Sequence, residues 1–317
     1  MENKVNFKLM SMAGQGGSVF GISLIELMNQ RSDLIVLSSD LSTPAGLDKF
    51  KTAFPDHFMN MGIAEQNMIG TAAGLAEEGY KPICVAQACF ITMRSFEQVR
   101  QFCGYMQIPM VIVGIGSGVS LQYMGNTHYA IEDLALMRTI PGMEVIAPCD
   151  SYEAVKAFEY AVNSNHPVYI RLFGGTAIPT VFNEEVEFDG AKAIKLRNGA
   201  DVQIIATGSM VGNALKVAEE LATEGIETSV VDMHTVKPVD KEAIELDKKL
   251  IVTLEEHNII GGLGSAFADV LSQQTEHPKF LKLGIDDRFV PVGSYKYLLQ
   301  QCGLDIESIK KTIIDNI

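Results

Sequence analysis

"MGIAEQNMIGTAAGLAEEGYKPICVA", residues 61–86, sets a helix-like segment of small and apolar residues directly ahead of a strand-length apolar run, PICVA (82–86). A segment of helical character followed by a short continuous β-rich run is the repeating unit of a parallel sheet covered on both faces. The same alternation recurs along the chain. Strand-like runs stand at LIVLSS (34–39), PMVIVGI (109–115), MEVIAP (143–148) and PVYIRL (167–172), with helical segments beginning near Ser95, Ile131 and Ser151. The first part of the chain therefore reads as an α/β domain with a parallel sheet.

From Gly174 to Ala193 the pattern lapses into Gly, Pro and acidic residues with no sustained helical period. It restarts with DVQIIATG (201–208), a helix over 211–224, IETSVVDM (226–233), KKLIVTLEE (248–256), a helix after GGLGS (261–265) and FLKLGI (280–285). The expected organisation is two α/β domains, over 1–178 and 194–317, joined by a linker at 179–193. A length of 317 residues with 47% hydrophobic content suffices for two cores.

The net charge of −14 disfavours nucleic acid and anionic membranes as partners, because a surface that tracks phosphates needs the opposite sign. A small anionic substrate stays possible, since a few focused cations can override the average inside a cleft. Cys84, Cys89, Cys103, Cys149 and Cys302 are odd in number and lack a CxxC spacing, so they read as reduced core fillers. MENKVNFKLM (1–10) has no apolar signal core and no run is long enough to span a bilayer, so a cytoplasmic location is expected.

Glu65 falls in the first turn of its helix, where a carboxylate complements the macrodipole without any chemistry. The run Gly70-Thr71-Ala72-Ala73-Gly74 costs helix propensity, which is tolerated where another surface approaches closely. A carboxylate at such a contact suits proton handling. His128, in GNTHYAIEDLALM (125–137), follows a strand and a glycine-containing loop, the position of the ligand crevice in open α/β sheets. His57, His166, His234, His257 and His277 read as surface residues, and no two have metal-ligand spacing in a helix. Phe90 and Phe96 are either core aromatics or stacking platforms for a planar ring. Arg171 ends a strand and needs an anionic partner, which is either a ligand head group or a protein carboxylate. The glycine-rich GIGSG (114–118) and GGLGS (261–265) are poor evidence for dinucleotide binding.

Taken together, SSDLST (38–43), FMNMGIAEQNMIGTAAGLAEEGYKP (58–82), GNTHYAIEDLALMRTIPGMEVIAP (125–148), ADVQIIATGSMVGNALKVAEEL (200–221) and LEEHNIIGGLGSA (254–266) resemble the C-terminal half of a transketolase. The resemblance covers nearly the whole chain in order. It implies a pyrimidine-binding domain of the thiamine-diphosphate fold followed by a smaller transketolase C-terminal domain. Family members hold the cofactor diphosphate through Mg²⁺ on GDG and NN motifs, and neither is present in this sequence. The resemblance thus implies a split transketolase in which an N-terminal subunit carrying GDG and NN holds thiamine diphosphate and Mg²⁺, in a complex of two copies of each chain. By position, Glu65 would hydrogen-bond the aminopyrimidine nitrogen, Phe90 and Phe96 would pack on the ring, and Asp40 would lie near the cofactor. His128 would bind donor-ketose oxygens and assist proton transfers, and Arg171 would face the substrate's anionic end. The reaction would move a two-carbon ketol unit from a ketose, a sugar phosphate or a sulfosugar, to an aldose phosphate.

The same resemblance marks departures at the substrate end. The opening segment MAGQGGSVFGISL (12–24) lacks the family's usual Arg, Gly116 stands where a second His is common, and Met124 where an Asp often lies. Fewer cations favour a singly charged group, so a sulfonated ketose such as sulfofructose is an expected donor. Two alternatives share the domain order: the β subunit of a 2-oxoacid dehydrogenase, and a non-catalytic assembly subunit.

Overall fold

The computed structural model describes residues 14–174 and 178–317. MENKVNFKLM, Met12, Ala13 and residues 175–177 of the expected boundary region lie outside the described residues. Seven strands form the first sheet in the order β10-β5-β6-β4-β3-β1-β2, where β1 is Leu34–Ser38, β2 Phe58–Asn60, β3 Lys81–Gln87, β4 Val111–Ile115, β5 Glu144–Ile146, β6 Val168–Leu172 and β10 Thr235–Lys237. All neighbours are parallel except β10 with β5. β1 and β3–β6 are buried along nearly their full length because helices cover both faces, which is why they appear in the sequence as unbroken apolar runs. One face packs Ile35, Leu37, Cys84 and Ile112 against Met68, Ile69, Ala72 and Ala73 of the Glu65–Glu77 helix. The other packs Val36, Val85, Val113 and Ile170 against Phe20 and Leu24 of the Phe20–Met28 helix and Phe158 of the Ser151–Asn163 helix.

The second sheet has the order β12-β11-β8-β9-β7, with β7 at Ile194–Arg197, β8 at Val202–Ala206, β9 at Thr228–Asp232, β11 at Leu250–Asn258 and β12 at Lys279–Ile285. β7 is antiparallel to β9 and the remaining pairs are parallel. Three short strands, β2, β7 and β10, have no sequence signature of their own. β10 leaves the second unit and closes the edge of the first sheet, pairing Thr235 with Ile146 and Lys237 with Val145.

That strand is one part of an extensive seam. Asn258 N donates to Ile131 O at 2.8 Å, Ala147 N to His234 O at 2.7 Å, and Arg138 Nη1 to Gly262 O at 2.8 Å. Glu255, Glu256 and His257, the polar core of the LEEHN segment, are all buried here. Glu255 accepts from Leu263 N and Gly264 N, capping the Leu263–Leu271 helix, and burial pushes it up to about 7. Glu256 accepts from Val119 N at 2.7 Å, Tyr295 Oη at 2.6 Å and Ser209 Oγ at 2.5 Å. His257 Nε2 accepts from Ala135 N, and burial lowers its pKa to about 4, so it is neutral near pH 7. The surface reading of His257 and His234 is therefore corrected: both are fully buried, His257 with Ala135 N across the seam and His234 stacked on Phe188, centroids 4.4 Å apart, with its Nδ1 2.9 Å from Thr235 Oγ1. Near them Cys149, Glu153 and Asp232 bring one possible ligand atom each within 4.8 Å of one another, also buried. The five cysteines are free, and four of them are buried.

Candidate active site

The parallel sheet delivers four segments side by side beyond the carboxyl ends of β4, β3, β1 and β2, where ligands of such sheets bind. β1 runs out at Asp40, which is exposed and takes a left-handed φ of 53°. β2 runs out at Asn60, whose Oδ1 accepts from Asp40 N at 3.2 Å and Gly62 N at 3.0 Å. Asn60 thus pins the Asp40 turn to the loop that launches the next helix, and Gly62 gives that loop its φ of 68°. The helix then begins on Glu65, whose carboxylate sits at the positive end of a 13-residue element and is only 2% exposed.

β3 leads straight into the Ala88–Met93 helix, which carries Phe90, with Arg94 at its end. Arg94 Nη1 donates to Glu65 Oε2 at 2.7 Å, and its guanidinium lies over the Phe90 ring, 4.4 Å from the centroid. Phe90 in turn meets His128 edge-on, with centroids 5.3 Å apart. Glu65, Arg94, Phe90 and His128 are therefore one continuous chain of contacts. Sequence reasoning singled out three of the four. Arg94 lies 29 residues from Glu65, and only the sheet order brings them together.

β4 leads into the loop that carries His128. Gly125, at φ 76°, turns the chain so that its carbonyl accepts from both His128 N and Tyr129 N, and Thr127 Oγ1 lies 2.9 Å from His128 Nδ1. Asn126 fixes the loop to the second unit in both directions, donating to Val290 O at 2.8 Å and accepting from Val290 N at 3.1 Å. Gly116 adopts φ 83°, and a Cβ there would fall 2.8 Å from Leu121. A histidine at this position would be strained by the left-handed backbone and would press on Leu121.

Phe96 is half-buried and packs against the cluster that includes Met68, Ile69 and Ala72. Arg171 is corrected: it is buried, with Nε donating to Asp133 Oδ2 at 2.8 Å and Nη2 donating to Ala130 O and Glu256 O. Tyr169 Oη donates to the same Asp133 at 2.8 Å. The protein carboxylate, one of the two partners open for Arg171, is the one present, and the guanidinium is engaged in the seam instead of an open cleft.

The residues fit a planar, nitrogen-bearing ring: a buried carboxylate, an aromatic face, and an imidazole that meets that aromatic ring edge-on. None of them belongs to the Cys149, Glu153 and Asp232 cluster, the one group of three possible metal donors among the described residues.

Comparison with known proteins points the same way. Residues 16–173 match the transketolase pyrimidine-binding domain and residues 191–309 the transketolase C-terminal domain. A subunit of the apulose-4-phosphate transketolase of Phocaeicola vulgatus is 37% identical over 93% of this chain and 95% of its own. The 6-deoxy-6-sulfo-D-fructose transketolase subunit SqwH of a Clostridium species is 38% identical over 90% of this chain and 89% of its own. A solved structure described as a split gene transketolase, inactive beta4 tetramer, superposes with a TM-score of 0.83 at 37% identity, covering 94% and 96% of the two chains. With both domains matched in order and relatives aligned over nearly their whole length, the chain belongs to the transketolase family, whose general reaction is ketol transfer.

Proposed function

We propose that this chain is the C-terminal subunit of a two-chain, cytoplasmic transketolase. Its partner is an N-terminal subunit with GDG and NN motifs, which holds Mg²⁺ and the diphosphate of thiamine diphosphate in a two-plus-two assembly. The contact chain from Glu65 through Phe90 to His128 carries this reading, because it offers the acceptor, the ring face and the proton-handling imidazole of a pyrimidine site. The domain division at residues 179–193 belongs to the same proposal.

Thiamine diphosphate, when bound, supplies the carbanion chemistry that breaks and remakes the ketol carbon–carbon bond. Glu65 would hydrogen-bond the aminopyrimidine ring nitrogen and stabilise the proton held between them. Phe90 would cover one face of the ring and keep water from it, while Asp40 would border the cofactor. His128 holds donor-ketose oxygens and moves protons to and from them. Glu65→Gln is expected to leave a folded complex with turnover about a hundredfold lower, roughly 3 kcal/mol of barrier. Unchanged turnover would remove Glu65 from the mechanism.

A sulfonated ketose is the favoured donor. With Arg171 committed to Asp133 and Gly116 in a left-handed turn, this chain offers few of the cations that a phosphate dianion would use. Comparing sulfofructose with xylulose 5-phosphate on the purified complex tests this, and clear preference for the phosphate would sink it.

A further inference from the structure

Glu65 is almost wholly buried, and the cation beside it is not: Arg94 is 42% exposed. A carboxylate left in that position with no partner would be costly, so something must occupy the site before a cofactor arrives. Arg94 does so by two contacts at once, donating N–H to Glu65 Oε2 and laying its planar guanidinium on Phe90. Those are the two contacts that a planar aminopyrimidine would make, with a ring N–H or amino group on the carboxylate and a π-face on the phenyl ring. A guanidinium shares that character: flat, delocalised, and rich in N–H donors along its edge.

We propose that Arg94 is a placeholder for the cofactor's pyrimidine ring, a positioning residue that holds Glu65 and Phe90 in place and yields both when the ring enters. The inference rests on the pyrimidine-site reading above. Exposure decides which partner moves. Arg94 can swing into water, while Glu65 is fixed at the start of its helix with its side chain buried. An ordinary surface ion pair contributes little and has no need to stack, so the paired geometry marks Arg94 as built for the slot.

The test uses two forms of the protein. In the isolated full chain, Arg94→Met is expected to lower the melting temperature by about 3 °C, because Glu65 loses its cation. Millimolar guanidinium ion, but not sodium at equal ionic strength, should recover the loss, as should Glu65→Gln in the same background. In the complex with the diphosphate-binding subunit, Arg94→Met should bind thiamine diphosphate about tenfold more tightly by calorimetry, since no competing group has to leave first. Arg94→Lys keeps the charge without the planar fork and should fall between the two. If Arg94→Met binds the cofactor equally or more weakly while the wild-type complex binds it normally, the placeholder is overturned and the functional reading stands. If the wild-type complex binds no thiamine diphosphate, both fall together.

Discussion

Arg171 shows how one residue can point two ways until its neighbours are known. A guanidinium ending a strand in a candidate substrate domain suits an anionic head group, yet Asp133 and two carbonyls hold it, and Tyr169 donates to the same Asp133. Asp133 lies 38 residues away, and no local pattern links the pair. Removing the cation leaves a carboxylate of 0% exposure without its charge partner. Arg171→Met is therefore expected to cost about 3 kcal/mol in urea unfolding, and Asp133→Asn combined with it to recover part of that. A loss confined to the donor's KM, with stability untouched, would restore the substrate role. Glu65, Phe90 and His128 were legible because each stands in a local pattern that survives without knowledge of the fold. Arg94 was not, since a single arginine at a helix end has no signature until the helix start facing it is placed.

Among elements, the Glu65–Glu77 helix joins site and surface. Its inner face, Met68, Ile69, Ala72 and Ala73, is core, while Gly74 is exposed with no heavy atom within 4 Å of an added Cβ. Glycine in that position weakens a helix and fills no internal need, so it fits a surface that another chain approaches closely. Gly74→Leu separates these roles by sign. The isolated chain should gain about 0.5–1 kcal/mol from helix propensity, while association with the partner subunit weakens, read by thermal unfolding and sedimentation respectively. Tighter assembly would argue that this face is free. The long strands were visible because covered parallel strands are continuous apolar runs. β2, β7 and β10 were not, since three or four residues at a sheet edge carry too little pattern to stand out from a loop.

Across the whole molecule, the seam concentrates buried acids. Asp232 at the end of β9 faces Cys149 and Glu153 of the first unit, with Asp150 adjacent, and burial raises its pKa from 3.8 to about 7. Burial raises Glu153 as well. Between the unfolded value of about 4 and that folded value, the native chain keeps a proton that the unfolded chain has released. The stability this group contributes is therefore complete at low pH and is lost as pH rises through about 7. Asp232→Asn is expected to destabilise at pH 5 and to do so by about 2 kcal/mol less at pH 8, followed by urea unfolding at each pH. A pH-independent difference would mean that Asp232 is ionised throughout.

β10 gives the seam a further meaning. A chain of two domains invites division at its linker, but the first sheet ends on a strand that the second domain supplies. Cut at residues 179–193, the first piece would present β5 as a bare edge, with the backbone groups facing Thr235 and Lys237 open to any passing strand. The first domain alone would therefore lack one edge of its own sheet, and a transplanted pyrimidine site would need the strand that the second domain supplies.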